Sequence, residues 1–244
     1  MLWDNTVGAG LLMAYYLVAC LFIPTFLKVR SNIPTEVVRK MQHIAYSLSI
    51  FLLLTLFTTW YFAVAGAFLL VLIGYPALYF LEGSRAYRKL FVDRTSRGGE
   101  LRRQLLYVQL SFAALILLFW GLLGSDWRYL AAVPVMGWGF GDAAAALVGK
   151  SFGRTFFAHR HIDGSKTFEG TSAMIVTAAA ALFLTLHLYA DKPWHVSLIV
   201  SLLVAPVCGI VELFSRRGLD TLTVPLTAAA CVIPLLHLFA LLGW

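Results

Sequence analysis

Charge is what this chain has least of. Lys, Arg, Asp and Glu make up 13% of its 244 residues, about half the share in an ordinary soluble domain. Acidic residues are the scarcer sign, 12 against 19 basic, which leaves a net charge of +7. With 60% hydrophobic residues, this composition excludes a water-soluble enzyme and leaves no stretch for a separate soluble domain. Cysteine is nearly absent too. Cys20, Cys208 and Cys231 sit in apolar runs, with neither metal spacing nor a disulfide framework, and read as small packing residues. The opening MLWDNT lacks a basic n-region and carries Asp4, so no cleaved signal peptide is expected.

Long apolar runs are what the chain has in quantity. A bilayer crossing needs about 20 apolar residues. Eight segments qualify, near 8–27, 43–59, 61–81, 105–123, 129–149, 169–190, 196–214 and 223–243. The expected fold is all-α, a polytopic integral membrane protein of about eight transmembrane helices in a single domain, 1–244. The intervening loops alternate sharply in charge. Lys28, Arg30, Arg39 and Lys40 fall in the first basic stretch, and Arg85, Arg88, Lys89, Arg94, Arg97, Arg102 and Arg103 in the second. Lys150, Arg154, Arg160 and Lys166 fall in the third, Arg216 and Arg217 in the fourth; only Arg128 and Lys192 lie on the other side. Basic loops stay in the cytoplasm, so these four loops are expected inside and both termini outside. Such a face attracts anionic lipids and nucleotides, while a nucleic-acid partner would need a fold the chain has no room for.

The residues that suggest chemistry gather at that same face. An aspartate in a membrane helix is costly and marks a functional site by default. Asp142 is such a residue, in the stretch GDAAAALVGKSFGRTFFAHRHIDGSKTFEG. A carboxylate able to hold a metal, followed by cations able to hold phosphates, is the minimum equipment for phosphoryl or nucleotidyl transfer. The cations here are Lys150, Arg154, Arg160 and Lys166. Asp142, Ala146 and Gly149 share one helix face, which would leave a bare backbone surface beside the carboxylate. The competing reading of the Gly and Ala residues is close helix packing. Gly149-Lys150-Ser151 ends like a phosphate-binding P-loop, but Ala144 stands where the first glycine belongs, so a Walker site is rejected.

Gly153 and Gly164 permit turns in the loop beyond, and Ser165 or Thr167 can cap the next helix with Glu169 at its positive end. Lys166 is the wrong charge for a helix N-terminus, a conflict a bound phosphate would resolve. Upstream, Thr35 is a candidate N-cap, and Glu36, Arg39, Lys40 and His43 share a face by i, i+3, i+4, i+7 spacing. A basic topology-setting flank accounts for Arg39 and Lys40 equally well; it does not account for His43. Downstream, Glu212 and Arg216 are spaced for a helix-end ion pair. Glu212 and Asp220 are alternatively partners of Asp142 around Mg²⁺. His187 and His237, near the outer face, read as packing or interfacial residues.

At these residues the chain resembles a known family. GDAAAALVGKSFGR with SKTFEG is similar to the block shared by CTP-dependent lipid kinases (dolichol, phytol and diacylglycerol kinases) and CDP-diacylglycerol synthases. EVVRKMQH and VELFSRRGLDTLTVPL resemble elements of the kinase branch, and the synthases' long C-terminal signature has no counterpart. The resemblance covers about Glu36 to Pro225 and differs from the kinase pattern at Thr221, where Asn is usual. It implies a kinase that moves the γ-phosphate of CTP onto the hydroxyl of a membrane lipid alcohol such as phytol, polyprenol or diacylglycerol. Arg39, Lys40, His43 and Asp142 would be catalytic, with His43 or Asp142 taking the hydroxyl proton. Gly149, Lys150, Gly153, Arg154 and Lys166 would bind the nucleotide. Asp142, with Glu212 or Asp220, would hold Mg²⁺. A phosphatidate cytidylyltransferase is the nearest alternative. A transporter, with Asp142 as coupling carboxylate, is disfavoured because the charges cluster at one face and no inverted repeat is seen.

Overall fold

The computed structural model describes residues 2–30, 33–82, 84, 87, 99–160, 162–216 and 218–243, and leaves out the side chain of Glu100. Arg85, Arg88, Lys89, Arg94, Arg97 and Arg217 therefore lie outside the described residues. Among the described residues there is no β-strand, only one isolated antiparallel bridge between Phe156 and Thr167. Apolar runs of this length satisfy their own backbone groups only as helices, because a bilayer offers no water to do it.

Among the described residues there are eight long helices. They are α1 (Leu2–Arg30), α2 (Thr35–Leu56), α3 (Trp60–Leu81), α4 (Leu101–Leu122), α5 (Ser125–Phe152), α6 (Phe168–Tyr189), α7 (Trp194–Phe214) and α8 (Asp220–Leu241). Seven are long and apolar enough to cross a membrane; α2 is the exception. The expected span 43–59 is corrected here. α2 starts at Thr35 and ends at Leu56, so its first turns carry Glu36, Arg39, Lys40, Gln42 and His43, which dilute its apolar character. Its N-cap is Pro34, not Thr35, and the Pro34 carbonyl accepts from Val37 N and Val38 N at 2.9 and 3.3 Å.

Packing divides the chain into two compact units, Met1–Leu122 and Leu123–Trp244. In the first, α1 packs on α2, and α3 on α4. α1 widens into a π-helical stretch at Tyr16–Phe22, a local loosening of the hydrogen-bond ladder of the kind that frees polar groups. There Gln42 donates to the Cys20 carbonyl at 2.8 Å. Tyr16 and Ser49 share a hydrogen bond of 2.9 Å, and Gln109 donates to the Tyr16 hydroxyl at 3.2 Å. The interior of this unit thus carries a polar seam.

The second unit is a ring of four helices in which α5 touches α6, α7 and α8. α5 is the buried axis: 67% of its apolar window is enclosed, against 11% for α3 in the first unit. Small residues make this possible. A Cβ on Gly137 would stand 2.9 Å from Leu182, and one on Gly141 2.9 Å from the Met174 sulfur. A Cβ on Gly170 would reach the Ala145 carbonyl at 2.8 Å, so α5 and α6 approach backbone to backbone. At the far end, His187 Nδ1 meets the Lys192 carbonyl at 2.9 Å and the His237 ring packs tilted against Trp127 with centroids 4.7 Å apart, the packing roles expected of both.

Candidate active site

The loop from α5 to α6 is a short hairpin. The Phe157 amide donates to the Lys166 carbonyl at 3.2 Å and the Phe168 amide to the Thr155 carbonyl at 2.9 Å. Asp163 makes the turn: its carboxylate accepts from the Ser165 amide at 3.1 Å and hydroxyl at 3.0 Å. Those two donors hold its pKa below the ordinary value of 3.8. Thr167, one of the two residues proposed for the task, caps α6, accepting from the Gly170 amide at 3.1 Å. Glu169 in the first turn accepts from the Thr155 amide at 3.2 Å, tying the other arm to the helix.

This geometry corrects the bare face expected at Gly149. Its face is not a bare surface. A Cβ there would lie 3.0 Å from Thr167 Oγ1, and one on Gly153 would meet the Thr167 methyl at 2.6 Å. The stripe of small residues is taken up by α6, as the packing interpretation requires. Asp142 lies deeper. Its neighbour Gly141 packs on Met174 and Ala178, well inside α6. At 1.5 Å per residue that is about 10 Å below the α6 N-terminus. Asp142 is 8% exposed.

Two further pairings differ from expectation. Glu212 does not pair with Arg216. It accepts from Lys166 Nζ at 2.7 Å through Oε1, and its backbone carbonyl takes a second, shorter bond from the same ammonium. Arg216 instead donates to the Arg160 carbonyl, and His159 rests edge-on against Phe214 at 6.4 Å. Three contacts therefore fasten the hairpin to the end of α7. Sequence reading missed all of them because they join residues 46 to 56 positions apart with no local spacing signal.

Asp142, Glu212 and Asp220 do not assemble either. Among the described residues no three His, Cys, Asp or Glu side chains converge as a metal site. The reason is depth, since Glu212 and Asp220 sit at helix ends and Asp142 lies inside the bundle. The chemistry of the donors still suits a metal that arrives with phosphates. Mg²⁺ is commonly held by one or two carboxylates plus substrate oxygens. Lys150 and Arg154 are exposed at the same end of the unit as half-buried Lys166.

The first unit holds the other charged group. Arg39 and Lys40 are 8% and 3% exposed. Arg39 is paired with Glu36 one turn back, and its buried Nε has no hydrogen-bond partner among the described residues. Burying two cations is costly unless something compensates them, and a topology-setting flank needs neither buried. His43 sits one turn further on, half-buried, on the same helix.

A multi-pass membrane protein with buried basic residues and a cation-bearing interhelical loop is the class these observations define. The comparison with known proteins narrows it. The chain is 32% identical over 229 residues to a phytol kinase of Synechocystis sp. (strain ATCC 27184 / PCC 6803 / Kazusa), covering 89% of this chain and 87% of that protein. The chain belongs to the phytol kinase-like family of membrane lipid kinases. No family model and no solved structure matches it.

Proposed function

We propose that this protein transfers the γ-phosphate of CTP to the hydroxyl of a membrane lipid alcohol, with phytol, polyprenol and diacylglycerol as the acceptor class. The observation that carries this is the match to a phytol kinase over nearly the full length of both chains. α2 crosses the membrane as an eighth span. Both termini lie outside, and the basic loops, with the active site, face the cytoplasm and its anionic lipids.

The acceptor oxygen attacks the γ-phosphorus, the bond to the β-phosphate oxygen breaks, CDP leaves, and the hydroxyl proton passes to Asp142 or His43. Catalysis rests on positioning and charge neutralisation. Lys150, Arg154 and Lys166 bind the triphosphate. Arg39 and Lys40 bind the transferred group, and an incoming phosphate oxygen would meet the Arg39 Nε–H that has no hydrogen-bond partner among the described residues. Mg²⁺ bound with the nucleotide would neutralise phosphate charge, and Asp142 is the carboxylate assigned to it. Gly149 and Gly153 support this site through the packing that holds the hairpin, and Asp220 remains at its margin.

The test is incubation of purified protein with γ-labelled CTP or ATP and a panel of lipid alcohols. Label in a lipid phosphate, with CDP released from CTP, is expected. Pyrophosphate and a CDP-lipid formed from phosphatidate would instead make the protein a cytidylyltransferase.

A further inference from the structure

Lys166 and Glu212 belong to different parts of the chain, yet they form the best-defined charged contact in the second unit. An ammonium has three donors. Lys166 gives two of them to one residue, the carboxylate and the backbone carbonyl of Glu212, and the third has no partner among the described residues. Two bonds to one rigid acceptor leave a lysine little rotational freedom. The acceptor is rigid because Glu212 is in the last turn of α7, 7% exposed, and the hairpin carrying Lys166 is fastened to the same helix end.

This arrangement also bears on the metal. Lys166 is 2.7 Å from the Glu212 carboxylate. A divalent cation ligated by that carboxylate would sit about 2 Å from its oxygen, which places it against an ammonium of like sign. Among the described residues no group of three His, Cys, Asp or Glu side chains gathers there.

We infer that Glu212 is a positioning residue for Lys166: it aims the third N–H of that ammonium at a nucleotide phosphate and does not ligate the metal. The inference rests on the phosphoryl-transfer reading above. It separates two roles that the sequence alone leaves merged, since a glutamate near the end of an apolar helix with an aspartate close by reads equally as a metal ligand.

Glu212→Ala, Glu212→Gln, Lys166→Ala and the Lys166→Ala/Glu212→Ala double variant would be compared in CDP-release assays across nucleotide and Mg²⁺ concentrations. Removing the carboxylate leaves the lysine unaimed, so Glu212→Ala should raise nucleotide KM tenfold or more with kcat within about threefold. Glu212→Gln keeps an acceptor oxygen and should recover most of that loss. Both should leave the Mg²⁺ half-saturation point unchanged. Because Glu212 acts through Lys166, the double variant should be no worse than Lys166→Ala alone. Loss of kcat in Glu212→Gln with a tenfold shift in Mg²⁺ dependence would make Glu212 a metal ligand and overturn the inference, as would an unchanged KM in Glu212→Ala. Wild-type protein that transfers no phosphoryl group from any nucleotide would instead remove the underlying reading, a result separable from either.

Discussion

The two compact units differ in packing and in where their polar groups sit. In the second, Lys166 pairs with Glu212, Asp163 accepts from Ser165, and Glu169 accepts from a backbone amide. Its helices approach through glycine and alanine until side chains have no room to add a methyl. The first unit buries Arg39 and Lys40 on a helix polar enough to fall outside the seven clear spans, and its core holds hydroxyls and amides of Tyr16, Ser49 and Gln109. A closely packed unit suits the holding of a nucleotide. The buried Arg39 keeps an Nε–H with no hydrogen-bond partner among the described residues, which suits a group that arrives and leaves.

That contrast can be broken in order of effect. The largest change is expected from Asp142→Asn. It keeps shape, removes the charge assigned to the metal or the proton, and is easier to bury in an apolar helix. Turnover should fall below detection while thermal unfolding in detergent is unchanged or later; wild-type turnover would take Asp142 out of the site. Next is Lys166→Ala. It removes one charge-assisted contact to phosphate, about 1.5–3 kcal/mol, and takes from Glu212 its ammonium partner. Nucleotide KM should rise by roughly tenfold or more with acceptor preference unchanged, and an unaltered KM would reduce Lys166 to a loop anchor.

Packing comes third. Gly170→Ala pushes a methyl to within 2.8 Å of the Ala145 carbonyl and should cost about 1–3 kcal/mol, as overpacking does. Gly10→Ala in the first unit faces open space and should leave the unfolding temperature near wild type. Equal shifts for the two would remove the packing difference between these two sites. The smallest effect concerns Asp163. Its folded pKa is depressed below 3.8, so its contribution is present above that ordinary value and is lost as pH falls through the folded one. Hydrogen exchange in the 153–167 hairpin should quicken in that acid range, and Asp163→Asn should flatten the dependence.

The sequence made some of this legible and not the rest, for identifiable reasons. Helical spans follow from apolar length alone, so seven of eight segments matched helices to within several residues. The Thr167 cap and the role of Glu169 follow from local spacing, which capping chemistry obeys. The Gly149 face went to helix packing because glycine serves two neighbours, a ligand or another backbone, and only the fold shows which is present. The Lys166–Glu212 bond was invisible because i, i+4 spacing offered Glu212 a nearer partner in Arg216. Asp142 was read inside an apolar span, but its depth beside the α6 N-terminus is a matter of how far α5 runs past α6, which no spacing encodes.

The most direct test of the account exchanges Arg39 and Lys40, as Arg39→Lys with Lys40→Arg. Charge and topology signal are preserved, while the guanidinium fork and the ammonium trade places about 100° apart on the helix. Insertion by reporter tags and CDP release would be read on the same preparation. The account predicts normal insertion with both termini outside and loss of most phosphoryl transfer. Normal insertion with full transfer would contradict it, leaving the buried pair as a membrane anchor.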